Sequence, residues 1–139
     1  MIVVPFCSPW HAPLVEAALS GVGRPCRVTS ASGEDVVRAG LETVNNDACY
    51  AALLSAGRAV SLLRERRCEA VGVTEPARVV VPTPCVFCRG DDAPYLVAHA
   101  LDAAGLGEGV GVLGADEALD ALSRDTRAVA RLADAVALG

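Results

Sequence analysis

The 139-residue chain contains no lysine, and all of its basic side chains other than histidine are arginines. The twelve arginines are spread along the sequence and are outnumbered by 17 acidic residues, so the formal net charge is −5. A protein that binds nucleic acid usually concentrates cationic side chains in a patch that neutralises phosphates. The sequence therefore predicts that nucleic acid is not a partner.

Long apolar runs are also lacking. The amino-terminal stretch MIVVPFCSPW has no basic n-region, and its apolar run is too short for a signal peptide. No later apolar run approaches the roughly 20 residues that span a bilayer. We expect a cytoplasmic protein with no membrane segment. Because 53% of the residues are hydrophobic, the length predicts one domain over 1–139 with a single core.

Strand-like and helix-like patterns alternate along the chain. Apolar β-type runs predict strands at 2–6, 26–29, 78–82 and 110–113. Helical spacing and capping residues predict helices that open at Ser8, at a capping-box variant of Ser32 and Asp35, near Asn46, at Asp91 and at Asp116. Their expected ends are Gly23, Gly40, Arg67, Ala104 and Leu138, with a break in the last helix near Ser123.

This alternation predicts an α/β fold. We expect a Rossmann-like three-layer sandwich with a mainly parallel sheet of about four strands and right-handed crossovers. The glycine fingerprint GxGxxG is missing after the first predicted strand, where the chain reads CSPWHAP. The fold prediction therefore gives no support for a bound dinucleotide.

Four of the six cysteines are predicted at one edge of this sheet. Cys7 follows the first strand, Cys85 and Cys88 follow the strand RVVVP, and Cys49 opens a helix that runs back toward that strand. In an open parallel sheet these positions share the edge where ligands bind. A helix start also carries unpaired N–H groups and partial positive charge, which suits an anionic ligand atom such as a thiolate. We interpret the remaining two, Cys26 and Cys68, as structural residues near the core or the opposite edge.

The residues alone leave several roles open for these thiols. Four cysteines at one edge suit an iron–sulfur cluster, or alternatively tetrahedral zinc. The CxxC pair of Cys85 and Cys88 is also compatible with a thioredoxin-like redox pair, although its first cysteine is not at the predicted helix start. Simple burial is the remaining interpretation, because free cysteine often behaves as a small hydrophobe.

A few other residues flank the same elements. His11, in the first turn after Cys7, is a candidate for the site, whereas His99 is expected on a helix face or in the core. Aromatic side chains near loops usually pack, which is one interpretation of Trp10, Tyr50 and Tyr95. Trp10, Phe87 and Tyr95 also flank the open edge of the sheet, where we expect a second copy of the chain or a separate subunit to cover them.

Three segments resemble a known family. The stretches PFCSPWHAPLVEAAL, GLETVNNDACYAALLSAG and PCVFCRGDDAPYLVAHALDAAGL are similar to the cysteine-bearing domain of proteins related to 2-hydroxyacyl-CoA dehydratases and their ATP-dependent activases. The resemblance covers about 3–113. Cys49, Cys88 and the following Arg89 match the family's residues position by position. Departures are Cys7 in place of a methionine, Ala51 in place of a proline, and the run 85–87 in place of mostly glycine.

The resemblance implies a function. Dehydratase members hold a four-iron four-sulfur (4Fe-4S) cluster that takes one electron from the activase and passes it to an acyl-CoA thioester. We expect Cys49 and Cys88 as ligands, Cys85 and Cys7 as further ligands, and Arg89 and His11 beside the cofactor. The chain is shorter than a dehydratase subunit, so it is at most one component of a dehydratase-like lyase or ATP-dependent reductase system.

The resemblance also implies partners. The expected assembly is a homodimer, or a complex with a dehydratase-like or activase subunit, with acyl-CoA as a further candidate ligand. Two alternatives from other classes stay open. One is an accessory or interaction module without a cluster, and the other is a structural zinc-binding domain.

Overall fold

The computed structural model describes residues 1–5, 8–21, 25–45, 47–69, 77–82 and 92–123. Within these ranges four strands and five helices alternate. The strands are β1 (Ile2–Val4), β2 (Cys26–Val28), β3 (Ala77–Val81) and β4 (Val110–Gly114). The helices are α1 (Ala12–Gly21), α2 (Glu34–Thr43), α3 (Tyr50–Glu69), α4 (Ala93–Ala103) and α5 (Ala115–Ser123).

The four strands form one parallel sheet in the order β2-β1-β3-β4. The predicted α/β, Rossmann-like architecture is therefore confirmed. The chain moves in one direction from β1 to β2, and in the other from β2 across β1 to β3 and β4. Right-handed crossovers then place α1 on one face of the sheet and α2, α3 and α4 on the other.

The strand register separates the two faces. Val3 aligns with Val79, and Val79 aligns with Val112, so their side chains point to one face, here called the first face. Val3 and Val79 are fully buried there, together with Ala77 and Val81, against residues of α3 and α4. This face carries the core because three helices cover it.

α3 lies at the centre of the helical layer on the first face. Every residue from 52 to 60 is buried, which is typical of a helix enclosed on all sides. Two glycines let α2 approach it closely. A Cβ at Gly57 would overlap the carbonyl oxygen of Val36, and a Cβ at Gly40 would lie 2.6 Å from the carbonyl oxygen of Leu53. Because glycine has no side chain, the backbones of α2 and α3 come into direct contact at these two positions.

The second face is covered less completely. Cys26 aligns with Ile2, and Ile2 aligns with Arg78, so these residues share this face. Cys26 is buried, and Glu16 of α1 lies close enough to raise the pKa of its thiol, which places α1 over β2. Arg78 is exposed although it belongs to an inner strand.

Three helix boundaries, the start of α1 and both ends of α2, differ from the prediction. α1 begins at Ala12, not at Ser8. Ser8 instead caps a preceding turn, where its Oγ accepts from the N–H of Trp10 at 3.3 Å. The predicted capping box in α2 is wrong, because the N-cap is Gly33 and no side chain caps the helix. α2 also continues past Gly40 to Thr43, since this glycine admits α3 and does not end the helix.

The end of α4 matches its sequence signal. Gly105 has φ of +67° and follows the C-cap residue Ala104. The N–H of Leu106 donates to the carbonyl oxygen of Leu101 at 2.8 Å, and the N–H of Gly105 donates to that of Asp102 at 3.0 Å. These two bonds form a Schellman motif, which needs glycine at the left-handed position.

No helix in the described part of the chain is both long enough and apolar enough to cross a membrane.

Candidate metal centre at the carboxyl edge of the sheet

The site begins with the adjacency of two strands. β1 pairs directly with β3, and Val3 aligns with Val79. The chain leaves the two strands in the same direction, at the point where the strand order reverses. In open α/β sheets such a switch point at the carboxyl ends of the strands is the usual ligand site. In the sequence, Cys7 follows Val4 by three residues, and Cys85 follows Val81 by four.

α3 is oriented with its start toward the same edge. Near its end, Leu62 and Arg66 line a small cavity together with Met1, so this end lies beside the amino end of β1. In its middle, Arg58 reaches the carbonyl oxygens of Ser30 and Ala31, which follow the carboxyl end of β2. The first residues of α3 therefore lie at the carboxyl edge.

Cys49 occupies the position just before this helix. Its carbonyl oxygen accepts the N–H of Leu53 at 3.0 Å, which is the first hydrogen bond of α3. Cys49 is thus the N-cap residue, and its side chain is free of disulfide bonding and exposed. The structure therefore places this thiol at the start of a helix at the carboxyl edge of the sheet, as the sequence predicted. The cap is Cys49 itself and not one of the preceding polar residues, Asn45 or Asp47.

Arg58 is a structural feature of this region that the sequence interpretation missed. Only 5% of the residue is exposed, although it carries a guanidinium group. Burial lowers the pKa of Arg58, and the nearby Tyr50 opposes that shift. Its Nε donates to the carbonyl oxygen of Ala31, and its Nη2 donates to that of Ser30 at 3.1 Å. The available signal was a lone arginine in the apolar run LLSAGRAVSLL.

His11 also lies at the carboxyl edge. It is exposed in the turn between β1 and α1, and its backbone N–H donates to the carbonyl oxygen of Ser8 at 2.9 Å. This position matches the prediction for His11. The other histidine, His99, is exposed on α4, which agrees with the helix-face interpretation.

The remaining predicted site residues, Cys7, Cys85, Cys88 and Arg89, lie outside the described residues. Within the described ranges, no three histidine, cysteine or acidic side chains are grouped so that they could hold a metal ion. Cys49 and His11 are therefore the two predicted site residues that the structure places, both at the expected edge.

The two cysteines interpreted as structural behave differently. Cys26 is buried, as predicted, and burial raises the pKa of its thiol to about 11, with a smaller contribution from Glu16. Cys68 is exposed near the end of α3. Burial was therefore the wrong interpretation for Cys68, although its place away from the carboxyl edge agrees with the prediction.

The aromatic residues of this edge do not pack into the fold. Trp10 is 86% exposed, Tyr95 is 78% exposed and Tyr50 is 62% exposed. Each lies at or just before the start of a helix, α1, α4 and α3 respectively. The interpretation of these side chains as packing residues is therefore wrong, whereas the expectation that Trp10 and Tyr95 flank an uncovered edge agrees with their exposure.

A separate groove of about 500 Å³ lies between α4 and the edge strand β4. Its lining includes Asp102, Asp116 and Glu117, and the Oε2 of Glu117 accepts the N–H of Gly114 at 3.1 Å. Neither Cys49 nor His11 lines this groove.

No protein-family model matches the chain, and neither a curated protein nor a solved structure matches it.

Proposed function

We propose that this protein binds an iron–sulfur cluster of the 4Fe-4S type at the carboxyl edge of its sheet. Its role is one-electron transfer, or an accessory function, in a system like the 2-hydroxyacyl-CoA dehydratases. Cys49 and Cys88 are the principal ligands, and Cys85 and Cys7 complete the set. The proposal combines the sequence resemblance with the strand order of the sheet.

The observation that carries the proposal is the pairing of β1 with β3. These are the strands that Cys7 and the Cys85–Cys88 pair follow in the sequence. If another strand lay between β1 and β3, the points where the two cysteine-bearing segments begin would be ~4.8 Å farther apart. Cys49 approaches the same edge from α3, with an exposed side chain. Three separate segments of the chain can therefore supply thiols to one place.

The donor chemistry fits the cluster. Iron–sulfur clusters are held by cysteine thiolates, and the start of a helix favours negative charge. Cys49 is the N-cap of α3, where unpaired backbone N–H groups begin. When bound, the cluster supplies one-electron transfer. Arg89, which follows Cys88 directly in the sequence, and His11, which is exposed, adjust the charge around the cluster.

The proposal has consequences for compartment and partners. Reduced thiols persist in the cytoplasm, so the protein is placed there. Its partner is a second copy of the chain, or a dehydratase-like or activase subunit. Acyl-CoA is a candidate substrate of the complete assembly and not of this chain alone. The enzyme system to which the chain contributes a component is a dehydratase-like lyase or an ATP-dependent reductase.

The test is anaerobic purification followed by iron, acid-labile sulfide and zinc analysis. We expect a brown protein with iron and sulfide in similar amounts. Colourless protein without iron would leave the accessory module as the better function. Zinc alone, in stoichiometric amount, would indicate a structural zinc domain.

Serine variants assign the ligands. Cys49→Ser and Cys88→Ser should each remove most of the iron. Cys26→Ser and Cys68→Ser are the matched controls and should retain it, because Cys26 is buried under α1 and Cys68 lies near the far end of α3. Iron loss in the controls but not in the first pair would contradict the ligand assignment.

A further inference from the structure

Exposed apolar side chains are concentrated at the carboxyl edge. Five large hydrophobic residues of the described chain are strongly exposed, and four of them lie at this edge. These four are Trp10 (86%), Leu14 (67%), Tyr50 (62%) and Tyr95 (78%), and we call this surface the aromatic edge. The fifth, Leu41, lies near the end of α2.

The fold explains why these residues share an edge. Trp10 lies in the turn just before α1, and Leu14 lies in the first turn of that helix. Tyr50 is the first residue of α3, and Tyr95 lies in the first turn of α4. α3 and α4 pack against each other, and packed helices lie about 10 Å apart. Their aromatic side chains therefore stand on neighbouring helix starts.

The part of the core that the structure describes contains no aromatic residue. The buried hydrophobic residues of the described chain are all valine, leucine, alanine or cysteine. Aromatic side chains are scarce overall, with one Trp, two Tyr and two Phe, and Phe6 and Phe87 lie outside the described residues. An exposed group of Trp and Tyr is typical of the anchor residues of protein interfaces.

Among the described residues, the charge around the aromatic edge is mainly negative. Each of the helices α2, α3, α4 and α5 starts next to exposed carboxylates. They are Glu34, Asp35, Asp47, Asp92, Asp116 and Glu117. Of the arginines described near this edge, Arg38 pairs with Asp35 and Arg58 is buried against backbone carbonyls.

Four of the five exposed arginines of the described chain lie toward the opposite end of the molecule. Arg64 and Arg67 lie in the last turns of α3, and Arg27 and Arg78 lie on β2 and β3. That end also carries the exposed carboxylates of Glu42, Glu65, Asp102 and Glu108, so its described charges are close to balanced, whereas those of the aromatic edge are mainly acidic. A surface of this kind attracts positively charged partners over a distance of about 10 Å at moderate salt.

We propose that the aromatic edge is the docking surface for a partner protein that presents arginine or lysine side chains. Such side chains can stack on Trp10, Tyr50 and Tyr95 while pairing with the surrounding carboxylates. A two-fold contact between copies of this chain would instead oppose carboxylate to carboxylate across the axis. The docking surface itself does not depend on the proposed function. Only the identification of the partner as an electron-transfer protein rests on it, because the same edge carries Cys49.

Calorimetry with a basic probe tests the docking surface. The probe is cytochrome c, a small haem protein with a lysine-rich surface, and the matched negative probe is an acidic cytochrome of similar size. We expect saturable binding of the basic probe only. Raising NaCl from about 20 to about 200 mM should weaken it at least about tenfold. Equal binding of the acidic probe would overturn the proposal.

Matched variants distinguish binding at this surface from a general effect of the protein's net charge. Asp47→Lys and Asp92→Lys should each weaken binding about fivefold, whereas Glu108→Lys, an equal charge change at an exposed site before β4, should change it less than about twofold. Trp10→Ala and Tyr95→Ala should weaken binding about tenfold, and Leu41→Ala should not. Equal effects of the edge and control variants would overturn the proposal.

Two further measurements complete the test. Trp10 is the single tryptophan of the chain, so its fluorescence should be quenched when the haem of the probe approaches the edge. Light scattering that detects a dimer abolished by Trp10→Ala would overturn the proposal in favour of self-association.

Binding of the basic probe should persist in Cys49→Ser. If iron is absent but edge-dependent binding remains, the cluster proposal fails and the docking surface stands. If iron is present but edge-dependent binding is absent, the docking surface fails and the cluster proposal stands.

Discussion

The Nη2 of Arg58 donates a hydrogen bond of 3.1 Å to the carbonyl oxygen of Ser30. This contact ties the middle of α3 to the loop that follows β2, across 28 residues of sequence. The neighbouring carbonyl of Ala31 accepts from the Nε of the same side chain. A buried cation is tolerated here because backbone carbonyl dipoles replace part of its hydration. The contact fixes α3, and with it Cys49 and Tyr50, relative to the edge of the sheet.

Arg58→Met should lower the free energy of unfolding by about 1–3 kcal/mol, because the loop carbonyls lose a charged donor while the apolar stem is retained. Urea denaturation measures this change. The control is Arg38→Met, which removes an ion pair whose side chains are 60% and 89% exposed and should cost less than about 0.5 kcal/mol. Equal losses in the two variants would mean that the Arg58 contacts contribute no more than a surface pair.

Gly57→Ala should destabilise the protein, against the normal effect of this change in a helix. Alanine ordinarily favours a helix over glycine by about 1 kcal/mol. Here the new methyl group would overlap the Val36 carbonyl oxygen, and separating α2 from α3 should cost about 1–3 kcal/mol net. Gly21→Ala, at the end of α1 with nothing within 4 Å, is the control and should be neutral or stabilising. Thermal denaturation compares them, and a stabilised Gly57→Ala would contradict the close approach.

The fold was predictable because its signals are local and repeated. Short apolar runs marked each of the four strands, and Gly105 marked the end of α4 through its left-handed conformation. Long-range contacts were not predictable in the same way. In the sequence Gly40 predicts the end of a helix, but in the structure its lack of a side chain allows α3 to approach closely. The role of Arg58 likewise depends on a loop 27 residues earlier in the chain.

The candidate site was predictable only as a location. Strand–helix alternation placed Cys49 at the carboxyl edge, and the structure confirms that place and its exposure. Trp10 and Tyr95 were expected to flank this uncovered edge, where a second copy of the chain or another subunit would cover them, and the structure shows both side chains exposed there.

The buried thiol of Cys26 predicts a loss of stability in alkaline solution. Burial, and to a lesser degree Glu16, raises its pKa from 9.0 to about 11 in the folded protein. Below pH 9 the thiol is protonated in both states and contributes no pH dependence. Between about pH 9 and 11 the unfolded chain loses this proton while the folded chain keeps it, so stability falls as pH rises.

Thermal melts across this pH window measure the effect. Cys26→Ala should flatten the alkaline decline of the melting temperature, whereas Cys68→Ala, which changes an exposed thiol, should leave the decline as steep as before. The comparison uses slopes, because the loss of the Cys26 side chain also lowers stability by a pH-independent amount. Parallel slopes in all three proteins would contradict the protonated, buried state of Cys26.

Cys49 and Cys68 form a matched pair for locating a bound cluster, because both thiols are exposed and lie near opposite ends of α3. In the metal-free protein both should react with a bulky alkylating reagent, and buried Cys26 should react far more slowly. Anaerobic loading with iron and sulfide should then slow the alkylation of Cys49 at least about tenfold without changing that of Cys68, since only Cys49 lies at the carboxyl edge. Mass spectrometry of the digested protein measures each rate. Equal protection of both thiols would indicate aggregation or non-specific iron binding, and unchanged Cys49 reactivity in iron-loaded protein would remove it from the ligand set.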